Sequence, residues 1–144
     1  MWPPPIMSFE PLPSLTSCDR RILIADDDRD LCRGAAELFD PLGIEVVQAG
    51  SGTEALGLFR REATVHLALL DVHMPDRGGL DLFEALRLEA PTLPCILWSA
   101  EASEAYEQVA LRSGVSAFLR KPVHPDILRG EVQRVLHDHW GSNN

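Results

Sequence analysis

From Arg21 onward, apolar residues alternate between two kinds of run. The first kind is short and strand-like: Ile22 to Ala25, Ile44 to Gln48, His66 to Leu70, Cys95 to Trp98 and Ser116 to Arg120. The first of them, Ile22 to Ala25, is apolar at every position and predicts a strand covered on both faces. The second kind has helical spacing. Leu31, Ala35, Leu38, Phe39 and Leu42 recur on one stripe, and Gly43 is placed to end it. Ser51-Gly52-Thr53-Glu54 opens a second helix with Ala55, Leu56 and Phe59 inward. Leu80, Leu82, Phe83 and Leu86 mark a third, and Ser103 to Arg112, closed by Gly114, a fourth. Pro125 suits a first helical position, and Ile127, Leu128, Val132, Val135 and Leu136 then form one stripe.

Five strands alternating with five helices predict an α/β doubly wound parallel sheet with helices on both faces. The flavodoxin-like strand order 2-1-3-4-5 is the expected one. It sets strands one and three side by side where the winding reverses. Ligands in such folds bind beyond the carboxyl ends of the strands at that point. Those ends carry the polar residues of interest. Strand one runs into Asp26-Asp27-Asp28, strand three into Asp71, strand four into Ser99 and strand five into Lys121-Pro122.

Composition narrows the classes. A chain of 144 residues fits one domain. The expected organisation is a proline-rich, flexible tail over residues 1–20, a folded domain over 21–138 and a short tail over 139–144, without an output domain. Pro3, Pro4, Pro5, Pro11 and Pro13 deny the start regular hydrogen bonding, and it lacks the pattern of a signal peptide. Trp2, Ile6 and Phe9 are its candidate docking anchors. A net charge of −9 argues against a nucleic-acid surface. No apolar run approaches the 18 residues of a membrane span. Cys18, Cys32 and Cys95 are scattered and odd in number, which suggests a reducing, cytoplasmic setting.

Asp26, Asp27 and Asp71 in one crevice pose an electrostatic problem. Two like charges about 4 Å apart repel by roughly 4 kcal/mol at an effective dielectric near 20. A divalent cation is the natural answer, and Mg2+ suits a site of few carboxylates, a backbone carbonyl and retained waters. The same cluster would prepare a phosphoryl transfer. Asp28 is read instead as a helix cap. Lys121 supplies a compact positive charge suited to a phosphate oxygen, and a cis Lys121-Pro122 bond would aim it inward. Ser99 is either a satisfied buried hydroxyl or a donor to a phosphoryl oxygen.

Taken together, Arg21 to Leu136 resembles the receiver domain of two-component response regulators. The most specific stretch is Leu69-Leu70-Asp71-Val72-His73-Met74-Pro75-Asp76-Arg77-Gly78-Gly79-Leu80, with Asp26-Asp27 upstream and Ser99-Ala100 and Lys121-Pro122 downstream. The resemblance implies that Asp71 accepts a phosphoryl group from a histidine kinase or histidine phosphotransfer protein. It implies that Asp26, Asp27, Asp71 and the His73 backbone carbonyl hold Mg2+, and that Ser99 and Lys121 bind phosphoryl oxygens. Phe118 matches the family's switch aromatic, and His73 and Glu101 stand where residues set the acyl-phosphate hydrolysis rate. Such a protein is a phosphoacceptor rather than an enzyme. It would signal through helix four, strand five and helix five, or serve as a phosphorelay intermediate. Self-association through the last helix is a further alternative.

Several residues depart from the pattern. Trp98 is bulky for the position before the switch hydroxyl, and its fluorescence is expected to report on the site. His124 replaces a small hydroxyl before Pro125, and His137 and His139 fall on different helix faces. Two other function classes compete. One is a non-phosphorylated binding module on the same fold. The other is an aspartate-nucleophile phosphatase, which usually wants a second acid two residues after the nucleophile, where this chain has His73. Nucleotide or flavin binding is disfavoured because no Gly-rich loop follows strand one.

Overall fold

The short runs do become the strands of one sheet. In a computed structural model that describes residues 20–62 and 64–141, five strands appear: β1 (Arg20–Ala25), β2 (Ile44–Ala49), β3 (Leu67–Asp71), β4 (Cys95–Ser99) and β5 (Ala117–Arg120). Every residue of β3 and β4 is buried. The order is β2-β1-β3-β4-β5 and all pairs are parallel, as expected. The proline-rich start, its Trp2, Ile6 and Phe9, and Cys18 lie outside the described residues.

Between the strands run α1 (Arg29–Phe39), α2 (Gly52–Arg61), α3 (Gly79–Glu89), α4 (Glu104–Ser113) and α5 (Pro125–Trp140). Successive strand residues point to opposite faces, which divides the core in two. Ile22, Ile24, Leu67, Leu69, Ile96 and Trp98 pack with α1 and α5. Leu23, Ala25, Ala68, Leu70 and Leu97 pack with α2, α3 and α4.

Caps fix where the helices begin. The Asp28 carboxylate accepts from Leu31 N, Ser51 from Glu54 N and Ser103 from Tyr106 N. At α5 the imidazole of His124 takes the role of the missing hydroxyl, its Nδ1 accepting from Asp126 N at 3.1 Å. Gly114 ends α4 with a left-handed φ of 111°.

Four expectations need correction. Leu42 belongs to a 3-10 turn, Asp40–Leu42, and is exposed; Gly43 ends that turn, not α1. Ile127 is 57% exposed, because the inward stripe of α5 starts one residue later at Leu128 and continues through Val132, Val135 and Leu136. Asp71 and Ser99 are the last residues of their strands rather than the first beyond them. The folded body does not stop at 138: α5 continues through His139 and Trp140 because Trp140 Nε1–H donates to His66 O at 2.7 Å.

Candidate functional site

The site begins with one local motif used three times. At the end of β1, Asp26 Oδ1 accepts from Asp28 N at 2.9 Å. At the end of β3, Asp71 Oδ1 accepts from His73 N at 3.4 Å. At the end of β4, Ser99 Oγ accepts from Glu101 N at 3.1 Å. In each, a short polar side chain turns the backbone two residues on. The turn stops the strand and points the side chain along the crevice instead of into the core. The chain direction changes and the functional group is oriented by the same bond.

Because β1 and β3 are neighbours at the switch point, these ends converge. Asp26 and Asp71 are buried and Asp27 is exposed. Carboxylate oxygens of the three lie within 4.8 Å of one another. Lys121 reaches them from the end of β5. Its Nζ donates to Asp26 Oδ2 at 2.5 Å and stands 3.4 Å from Asp71 Oδ1. Its backbone N donates to Ser99 O at 2.9 Å, and the Lys121-Pro122 peptide is cis, as expected.

The charges do not balance: three carboxylates face one ammonium. Burial raises the pKa of Asp71, the Asp26 charge raises it further, and Lys121 only partly opposes them. Burial also works against the Lys121 ammonium, but the hydrogen bond and charge of Asp26, joined by Asp71, outweigh it and its pKa is raised. Hard oxygen donors of surplus negative charge, two buried and one exposed, fit a divalent cation such as Mg2+. Asp26, Asp27 and Asp71 are the side chains that could hold one.

The loop after β3 is shaped to the acceptor strand. Gly79 N donates to Val72 O at 3.0 Å, and a Cβ on Gly79 would stand 2.5 Å from Asp71 O. Only glycine permits that approach. Asp76, on the same loop, accepts from Gly52 N at 3.0 Å and Thr53 N at 2.8 Å, and so caps α2 from a distance. The Thr53 hydroxyl first, then these two amides, lower the Asp76 pKa to about 2. Sequence reasoning passed over Asp76. Its signal is an acidic residue after Met74-Pro75 in a loop facing the helix end that opens at Gly52.

The remaining predicted residues flank this centre. Ser99 is wholly buried. The His73 and Glu101 side chains are exposed, and their amides are the ones that orient Asp71 and Ser99. Phe118 is half-buried, 6.2 Å from the Tyr106 ring and with the Arg120 guanidinium 5.5 Å from its own centroid. Arg120 donates to Ala102 O and Glu107, tying β5 to the loop beyond Ser99. Trp98 is wholly buried beside Lys121, whose Nζ lies 5.1 Å from its ring centroid. Among the described residues, its indole N–H is the buried side-chain donor without a partner, a cost of about 1–3 kcal/mol.

A doubly wound sheet with a carboxylate–lysine cluster at its switch point defines a class of α/β protein built to engage a cation or an anionic group at its strand ends. The particular family is response regulator receiver domains: that family's model matches residues 22–133, and the chain belongs to it. It is thus a receiver domain of the two-component type. The chain is 36% identical over 121 residues to the transcriptional regulatory protein CpxR of Escherichia coli K12, covering 83% of this chain and 51% of CpxR. It is 29% identical over 119 residues to a chemotaxis protein CheY homolog of Campylobacter jejuni, covering 81% of this chain and 92% of that one. It therefore spans about half the length of the CpxR relatives it matches. A CheY-like receiver domain protein from Methanospirillum hungatei superimposes with a TM-score of 0.78 at 30% identity, over 83% of this chain and 95% of that one. No helix among the described residues is long and apolar enough to cross a membrane.

Proposed function

We propose that this receiver accepts a phosphoryl group on Asp71 from the phosphohistidine of a histidine kinase or phosphotransfer protein, in a Mg2+-dependent reaction. One observation carries the reading: Asp26, Asp27, Asp71 and Lys121 meet at the switch point of a receiver fold. An Asp71 oxygen attacks phosphorus in line, the P–N bond breaks, and the imidazole leaves and takes up a proton. Asp26, Asp27, Asp71 and the His73 carbonyl would hold Mg2+, which supplies charge neutralisation for the phosphoryl oxygens. Lys121 holds one phosphoryl oxygen and prevents its charge from repelling the buried carboxylate. The product is an acyl phosphate that water later cleaves to inorganic phosphate, at a rate His73 and Glu101 help to set. The protein is a phosphoacceptor that assists its own chemistry, acting in the cytoplasm.

The readout couples Ser99 to Phe118. Ser99 Oγ accepts from Glu101 N, so its own proton is free to donate to a phosphoryl oxygen. Drawing Ser99 inward opens room for Phe118 to turn. Inverting a two-state equilibrium from 1:99 to 99:1 takes about 5.5 kcal/mol. Two or three charge-assisted hydrogen bonds at about 1.5–3 kcal/mol each suffice. The face of α4, β5 and α5 would meet a protein target, and Ile127 at the start of α5 is an exposed apolar side chain.

Incubation with acetyl phosphate and Mg2+, followed by intact mass, tests the reading. One phosphate is expected on the wild type and none on Asp71→Ala. An unmodified wild type across pH and donor concentration would favour a binding module. Sustained hydrolysis of an unrelated phosphoester would favour a phosphatase.

A further inference from the structure

We propose that Trp98 is a positioning residue for this transfer: its indole face keeps the Lys121 ammonium over Asp71 when the neighbouring carboxylates are engaged by a divalent cation. The inference rests on the reading of Asp71 as phosphoacceptor.

Among the described residues, Lys121 Nζ meets Asp26 Oδ2 at 2.5 Å, Asp71 Oδ1 at 3.4 Å and the Trp98 ring, its centroid at 5.1 Å. Asp26 and Asp71 belong to the candidate metal cluster. Engaged by a divalent cation, those carboxylates share their charge with it, and their hold on the ammonium weakens. The two cations also repel each other. The ring is a contact that a hard, oxygen-seeking ion does not compete for. Without it, a flexible four-carbon stem already 17% exposed has an open route to solvent.

Trp98 is built to stay in place. It is wholly buried in the core layer shared with Ile24, Cys32, Leu69 and Val132. It pairs in register with Asp71, and its carbonyl accepts from Val72 N at 3.0 Å. One strand pair therefore sets both the acceptor and the ring. Tryptophan is the strongest aromatic partner for a cation. Its indole N–H finds no partner here, so the position uses the face of the ring. A leucine would fill the layer without burying that donor.

Two variants separate ring from filler. Trp98→Phe keeps an aromatic face and Trp98→Leu removes it, and both leave space in the core. In Mg2+ and acetyl phosphate, Trp98→Leu is expected to lower the maximal phosphorylation rate about 5- to 30-fold. Half-saturating Mg2+, measured by calorimetry, should change less than about twofold, since the ring touches no carboxylate. Trp98→Phe should recover most of the rate. Equal slowing in both variants, or no slowing in Trp98→Leu, would overturn the proposal.

NMR of the Lys121 Cε methylene gives a readout that needs no phosphorylation. The indole should displace its proton shift upfield in the wild type, with Mg2+ absent and saturating, but not in Trp98→Leu. Loss of that displacement in Mg2+-loaded wild type would overturn the proposal even if the protein folds and reacts. A wild type that takes no phosphate but keeps the displacement would remove the function reading while supporting the positioning.

Discussion

The same five strands end very differently at their two edges. At the amino ends of β1 and β3, the polar groups around Arg21 and His66 meet partners of opposite sense. Arg21 N donates to His66 Nδ1 at 3.0 Å, and His66 N donates back to Arg21 O at 2.8 Å. The Arg21 guanidinium reaches Glu45 at 2.8 Å and Thr64 O at 3.0 Å. Trp140 closes the group by donating to His66 O and standing edge-on to its ring at 5.3 Å. At the carboxyl ends, three carboxylates share one lysine. One end of the sheet is satisfied by the chain itself; the other is left short of positive charge. A fold that is stable at one end can tolerate deficit at the other, and the deficit is what a cation and a phosphoryl group can relieve.

The largest break in that contrast comes from Gly79. A Cβ there would press within 2.5 Å of the Asp71 carbonyl oxygen and 3.0 Å of its carbon, both backbone atoms unable to give way. Gly79→Ala is expected to cost about 3 kcal/mol, at the upper end for overpacking, and to abolish the acetyl phosphate adduct. Gly130→Ala, on the exposed side of α5 with nothing within 4 Å of the new methyl, should gain about 0.5–1 kcal/mol and leave the adduct unchanged. Urea melts with intact mass on each variant decide it. A Gly79→Ala protein as stable and reactive as the wild type would mean that the loop does not depend on this approach.

Trp140 sharpens the comparison from the other end. It walls a cavity of about 220 Å³ with Phe59, Val65 and Leu93. Trp140→Phe loses one hydrogen bond, about 1 kcal/mol. Trp140→Ala also loses the ring contact and the cavity wall, about 2 kcal/mol in total for a residue that is partly exposed. Neither should alter the phosphorylation rate in Mg2+, because the change lies at the opposite sheet edge. A rate lowered in proportion to stability would show that the two ends are coupled, not independent.

What the sequence made legible follows this division. The strand-end residues Asp26, Asp71, Ser99 and Lys121 were readable because each follows an apolar run directly, and strand order then brings their ends together. Asp28 was readable as a cap because its acceptor bond spans only three residues. The contacts that escaped are those made through space by residues far apart in the chain. Asp76 caps a helix 24 residues upstream, and Trp140 bonds His66, just before β3 and 74 residues away. Neither has a periodicity to betray it. Ile127 was misplaced for a local reason: apolar spacing fixes a stripe only to within one residue at a helix start, where no preceding turn constrains it.

The smallest expected effect is a slope, and it should have opposite signs at the two ends. Burial, then the charge of Arg20, lower the pKa of His66. Between its lowered folded pKa and its ordinary one near 6.5, the unfolded chain binds more proton, so stability falls as pH falls through that window. Burial, then Asp26, raise the pKa of Asp71. Between the ordinary carboxylate pKa near 3.9 and the raised folded one, the native state binds more proton, so stability falls as pH rises. In the metal-free wild type the two trends oppose each other on the acid side of neutrality. Single variants should unmask them. His66→Asn keeps an acceptor for Arg21 N–H but does not titrate, and relative to the wild type its melts should weaken more toward higher pH. Asp71→Asn removes the carboxylate, and relative to the wild type its melts should weaken more toward lower pH. Mg2+ adds the decisive comparison. A cation held by Asp71 favours the ionised form, so saturating Mg2+ should reverse the slope that belongs to Asp71 and leave the one that belongs to His66. Slope changes of the same sign, relative to the wild type, in both variants, or a His66 slope that Mg2+ also reverses, would mean that the two ends of the sheet do not behave as separate electrostatic regions.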